Sequence, residues 1–145
     1  MSVTSNTRLW AGRTLSLIAV LFLLFDAIIK FFPVAPVTDS FAQLGYPVGL
    51  APAIGLLELV CVAIYVAPPT AILGAVILTG YFGGAIATHV RVGNPLFSHV
   101  LFPTYVAALI WVGLYLRDER LGSLIRPQAD EALTRTARHR LPAAS

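Results

Sequence analysis

The sequence predicts an all-α integral membrane protein, a four-helix bundle running antiparallel up-down-up-down with both termini cytoplasmic. Three observations predict it. Of the 145 residues, 57% are hydrophobic and 12% charged, with a mean hydropathy of +0.80, outside the range of a soluble globular domain. The apolar residues fall into four runs, near 14–32, 48–67, 70–88 and 97–116, each long enough to cross a bilayer. Finally, the Lys and Arg residues concentrate at the two chain ends. The net charge of +3 and pI near 9.4 come from those ends, so they fit a surface beside anionic lipid and no nucleic-acid partner is expected.

Residues 1–13 read as a short N-terminal tail, polar and then basic, with Arg8 and Arg13 entering the first span. About 19 residues at about 1.5 Å each reach roughly 28 Å, close to the thickness of a hydrocarbon core. Arg13 and the run from Leu15 to Phe25 imitate a secretory leader, but Asp26 and Lys30 continue the helix where a small-residue cleavage site is wanted. The span is therefore expected to stay. A connector follows from Phe32 to Pro47, opened by Pro33 and Pro36, in which Thr38 or Asp39 would cap a one- or two-turn segment bearing Phe41 and Leu44. Tyr46 suits the membrane interface.

The second span is apolar except for Glu58 near its middle, with Pro52 early enough to be tolerated and Pro68-Pro69 to stop it. So tight a turn before the third run leaves room for a helical hairpin only. In the third span Gly80, Gly84 and Thr88 recur every four residues beside Tyr81 and Ala85, a surface for close helix packing. His89, Arg91 and a Gly-Asn-Pro turn follow, and His99 heads the fourth run. Pro103 within that run cannot donate to the carbonyl of His99, so the helix start should be irregular. Residues 117–145 form a basic C-terminal tail, with Arg117, Arg120, Arg126, Arg135, Arg138 and Arg140 offset by Asp118, Glu119, Asp130 and Glu131. A short helix or a solvated end both suit it.

Both tails carry eight of the ten basic residues, which places them in the cytoplasm. Four spans then set Asp26, Lys30, Thr88, His89, Arg91 and His99 toward the outer side and Glu58 near the midplane. A charge at the bilayer centre costs about 2.5 to 3.5 kcal/mol on insertion scales, so these groups should face inward and share one polar pocket. Asp26 and Lys30, four apart, can pair on their own helix; Glu58 would take Arg91, His89 or Lys30. Arg91 also reads as an interfacial anchor. His89 and His99 suit hydrogen bonding better than metal or haem, because the lone Cys61 and the absence of a flanking motif supply no ligand set. No metal site is expected, and the sequence singles out no catalytic residue, so whether the chain is an enzyme stays open.

The order of these segments resembles the DoxX-like family of small four-span membrane proteins. The likeness runs from about Arg8 to Arg120: Gly12-Arg13 entering a span with FDAIIKFF, the connector FAQLGYP, IGLLELVC, then LTGYFGGAIATHVRVGNPLFSH leading into LFPTYVAALIWVGLYLRD. The resemblance implies a four-helix domain over residues 14–116 in a bacterial inner membrane. It also implies a link to thiosulfate oxidation, quinone reduction and membrane oxidoreductase complexes. No cofactor-binding signature occurs in the chain, so any redox role would use a bound quinone or a partner subunit. Three functions follow as expectations: a membrane subunit or accessory of a redox system, a proton-coupled carrier of a small amphiphile, and a non-catalytic assembly protein. Beyond the lipid bilayer, a membrane or redox partner and homo-oligomerisation stay open.

Overall fold

The computed structural model describes residues 3–125, and those residues are helical with no strand among them. Six α-helices follow in order: α1 (Val3–Ile29), α2 (Ala35–Gln43), α3 (Ala51–Val66), α4 (Ala71–Arg91), α5 (Phe102–Arg117) and α6 (Glu119–Ile125). Four stretches have the length and composition to cross a membrane: Asn6–Ile29, Val48–Val66, Pro68–Arg91 and Leu96–Arg117.

The first helix begins well before the expected tail ends. No proline interrupts the residues ahead of Arg13, and Gly12 serves the packing instead of breaking the helix. Its end is where Pro33 requires it, with Phe31 and Phe32 donating back to Ile28 and Ile29 in a tightened last turn. The connector helix α2 also starts earlier than expected. Pro36 sits in its first turn, where a missing N–H costs nothing, and Thr38 turns back to the Ala35 carbonyl instead of capping. Its Val37 and Phe41 pack with Ala51 over the ends of α1 and α3.

Pro52 lies in the first turn of α3, and Ala67, forced extended ahead of Pro68, ends that helix. Thr70 closes the turn by donating to the Ile64 carbonyl at 2.8 Å. The next helix runs past Thr88 to include His89 and Arg91 in its last turn, where positive charge suits the helix dipole. Gly93 at φ +69° then reverses the chain. The irregular start expected near Pro103 is a π-helical turn over Leu96–Val100, after which α5 begins with Pro103 in its first turn. Of the C-terminal tail, α6 accounts for Glu119–Ile125; Arg126, Asp130, Glu131, Arg135, Arg138 and Arg140 lie outside the described residues.

The four long helices form a ring in which α1 packs on α3 and α5, and α4 packs on the same two. Leu23, Tyr65, Leu78, Ile110 and Leu114 fill the centre, each almost fully buried. Only 28% to 33% of each span is buried, while Leu17, Leu21, Phe25, Leu57, Leu73 and Val112 point outward. A surface this apolar belongs in lipid.

Glycines set the closest crossings, though not those the spacing suggests. A Cβ on Gly74 would fall 2.3 Å from the Tyr65 nitrogen, one on Gly55 2.6 Å from the Ala27 carbonyl oxygen, and one on Gly12 2.8 Å from the Gly113 carbonyl oxygen. Side chains there would push helices apart. A Cβ on Gly80 or Gly84 would meet nothing within 4 Å, so the expected packing surface of Gly80, Gly84 and Thr88 is not an intrachain crossing. The reason is rotation: with Gly74 and Leu78 turned inward, Gly80, Gly83 and Gly84 fall on the outer face.

Candidate functional site

Where α1, α3 and α4 meet, four polar side chains join across the apolar interior. Lys30, one residue past the end of α1, donates from Nζ to the Asp26 carboxylate on its own helix and to Glu58 Oε2 on α3 at 2.8 Å. A third donation goes to the Asp26 carbonyl at 3.2 Å, so all three ammonium hydrogens are used. From α4, Tyr81 donates its hydroxyl to the same Glu58 oxygen at 2.9 Å. Glu58 itself is 0% exposed.

Close helix approach makes this contact. Gly55 lets α3 settle against the Ala27 carbonyl, and one turn further on Glu58 reaches Lys30. Burial explains the double donation, because an ion pair out of water needs extra hydrogen bonds to offset lost hydration. Yet Glu58 Oε1 is buried and has no partner. Such an oxygen keeps the full cost of desolvation until some donor arrives.

Beside the network, a cavity of about 240 Å³ opens between the end of α1, α2 and the start of α3. Lys30 is its charged wall; Phe31, Phe32, Val37, Val48 and Pro52 make the rest largely apolar. Its size falls below the roughly 300 to 1,000 Å³ of a site enclosing a whole drug-sized ligand, so it has room for no more than a ring-sized group.

The remaining residues of the expected pocket gather elsewhere. Arg91 donates to the Leu44 carbonyl at the end of α2 and stands 5.8 Å over the Tyr46 ring. Thr88 donates to the Gly84 carbonyl, which leaves Tyr46 as the donor in the 3.3 Å contact between the two hydroxyls. Gln43 donates to Asn94, whose amide donates in turn to Nδ1 of His89 at 2.8 Å. The His99 ring meets that of His89 edge-on, with centroids 5.7 Å apart, and its own Nδ1 pairs with Ser98.

One shared cavity is thus replaced by two groups. Asp26, Lys30 and Glu58 come together; Thr88, His89, Arg91 and His99 do not join them. The cause is helical rise. Tyr81 marks the level of Glu58 on α4, and His89 and Arg91 lie eight and ten residues further along, roughly 12 and 15 Å at 1.5 Å per residue. Of the partners considered for Glu58, the structure selects Lys30. Tyr81, read as a neighbour of the glycine stripe, was the missing member; a phenol in the middle of an apolar run was the available signal, since a buried hydroxyl needs a partner.

Four apolar helices around a buried ion network define a small membrane protein whose apolar interior holds one polar cluster. The profile of the DoxX-like family matches residues 14–113. The chain belongs to that family. Neither the curated proteins nor the solved structures return a match.

Proposed function

We propose that the chain is a small membrane subunit or accessory of a redox system, and that the Lys30–Glu58–Tyr81 network holds the head group of a quinone-type amphiphile. The observation that carries this reading is the unpartnered Oε1 of fully buried Glu58, joined through Lys30 to an apolar cavity. By giving up its 3.2 Å bond to the Asp26 carbonyl the Lys30 ammonium can donate to a quinone carbonyl oxygen, with the Glu58 carboxylate behind it as proton acceptor, and Phe31 and Phe32 suit a flat ring. His89 and His99 take no part. Quinone chemistry is the ligand's; the protein's share is to bind, orient and exchange a proton at Glu58.

In this reading the helices cross a bacterial inner membrane up-down-up-down, with both termini cytoplasmic. Arg8, Arg13, Arg117 and Arg120 at one end, against Lys30 and Arg91 at the other, support that orientation. The test uses full-length protein purified in mild detergent. Mass spectrometry should find a retained quinone, and adding a short-tailed benzoquinone should raise the unfolding midpoint by a few degrees, an effect that Glu58→Gln removes. No retained quinone together with no shift would sink the proposal.

A second reading, a proton-coupled carrier for a small amphiphile, has its own support. Asp26 is 42% exposed and connects through Lys30 to buried Glu58, a chain from the surface to the interior. Glu58→Gln should then abolish the pH dependence of uptake into vesicles, and uptake that keeps its pH profile would rule it out.

A further inference from the structure

A second cavity, of about 190 Å³, lies toward the opposite end of the bundle, between the middle of α1 and the ends of α3 and α5. Its charged lining consists of Arg13 and Arg117, with Ser16 and Tyr65 beneath them and Leu17 and Val66 at the sides. Among the described residues no carboxylate lines it. Among the described residues neither arginine forms an ion pair, and the adjacent Asp118 is occupied by Arg120, which reaches it from NH2 at 2.7 Å and Nε at 3.1 Å.

The free hydrogens identify the ligand chemistry. Tyr65 gives its hydroxyl hydrogen to the Ile110 carbonyl at 3.2 Å, so Ser16 is the donor in the 2.9 Å contact between the two hydroxyls. Both of those hydrogens are committed to the protein. What remains is guanidinium N–H, and Arg117 Nε is buried without an acceptor. The Tyr65 ring, 5.0 Å from the guanidinium carbon, braces Arg117 in that position. Two forks of donors with no acid between them fit an oxyanion, above all phosphate.

The walls indicate which phosphate. Leu17 is 56% exposed and Val66 49%, on surfaces that the apolar spans turn toward lipid. Free phosphate has no use for them, whereas an acyl chain does. Basic pockets between membrane helices are favourable seats for anionic headgroups. We infer that the Arg13–Arg117 cleft binds the phosphate of an anionic glycerophospholipid, with an acyl chain laid along Leu17 and Val66. The inference is independent of the quinone reading, because it rests on different residues at the other end of the bundle.

Full-length protein in neutral detergent is titrated with phosphatidylglycerol, phosphatidylcholine or inorganic phosphate and followed by native mass spectrometry and thermal unfolding. Phosphatidylglycerol should be retained at least about tenfold better than phosphatidylcholine, and Arg13→Gln and Arg117→Gln should each reduce that retention about tenfold, the equivalent of one charge-assisted contact. Arg8→Gln, a charge removed outside the cleft, should leave it unchanged. Should Arg117→Gln fail to fold, exposed Arg13→Gln carries the same comparison. Equal retention of the two lipids, no effect of Arg13→Gln, or an equal loss with Arg8→Gln would overturn the site. Stabilisation by inorganic phosphate to the same extent as by phosphatidylglycerol would overturn lipid as its source.

Discussion

The interior network and the outer polar group are built from similar side chains and held in opposite ways. Inside, Lys30 faces two carboxylates and Glu58 takes two donors on one oxygen, with helices pressed together at Gly55. Outside, Arg91 and Thr88 turn to the carbonyls of Leu44 and Gly84, and His89 to the Asn94 amide. A charge in the bundle needs another charge, whereas one near the interface is satisfied by backbone, aromatic face and water. Depth, more than residue type, decides which residues become a network.

The contrast is tested first at Lys30. Lys30→Met should destabilise by about 3 to 5 kcal/mol, because it leaves Glu58 buried and unpaired, whereas the double change Lys30→Met with Glu58→Met should recover most of the loss. Denaturation of the two variants side by side checks it, and equal losses would mean that the pair is not isolated from its surroundings. Next, Gly55→Ala should cost about 1 to 3 kcal/mol by forcing α3 off the Ala27 carbonyl. Gly84→Ala, in open space, should stabilise by up to about 1 kcal/mol through helix propensity alone. A costly Gly84→Ala would instead reveal a covering partner.

At the outer group, Arg91→Gln should cost about 1 kcal/mol, the value of one hydrogen bond, and should loosen α2 while the Lys30–Glu58 pair holds. Hydrogen exchange of α2 amides reads that out. The smallest effect is expected at Asp118. Hydrogen bonds from Arg120 hold its carboxyl below the ordinary carboxylate range. A depressed folded-state pKa adds stability above the unfolded value and loses it as pH falls through the folded one, so the contribution is present at neutral pH and gone in acid. Asp118→Asn should flatten that portion of the acid limb of a stability profile.

Hydropathy was enough to locate the four spans, because 18 or more apolar residues in a row have few other uses. The proline turns fell where φ and a missing N–H demand them. Helix ends were harder: nothing before Arg13 opposes helix, so α1 begins at Val3 and not at the first apolar run. Intramembrane Asp26, Lys30 and Glu58 stood out as costly, and the structure joins them. Rotation about each helix axis was not legible, and that is what turned Gly80 and Gly84 outward. The level of Tyr81 was within reach. Tyr65 and Gly74 touch near the turn, and seven residues back along α3 and seven forward along α4 lead to Glu58 and Tyr81. Seven residues are almost two whole turns, so one contact repeats the other's facing.

The Pro68-Pro69 turn is therefore less free than surface connections usually are. One inserted or deleted residue would advance α4 by about 1.5 Å and spin it by about 100°. A bulkier side chain would then be driven into the Tyr65 backbone in place of Gly74, and the phenol would swing off its carboxylate. In homologous chains, length should vary at other connections before it varies at this one.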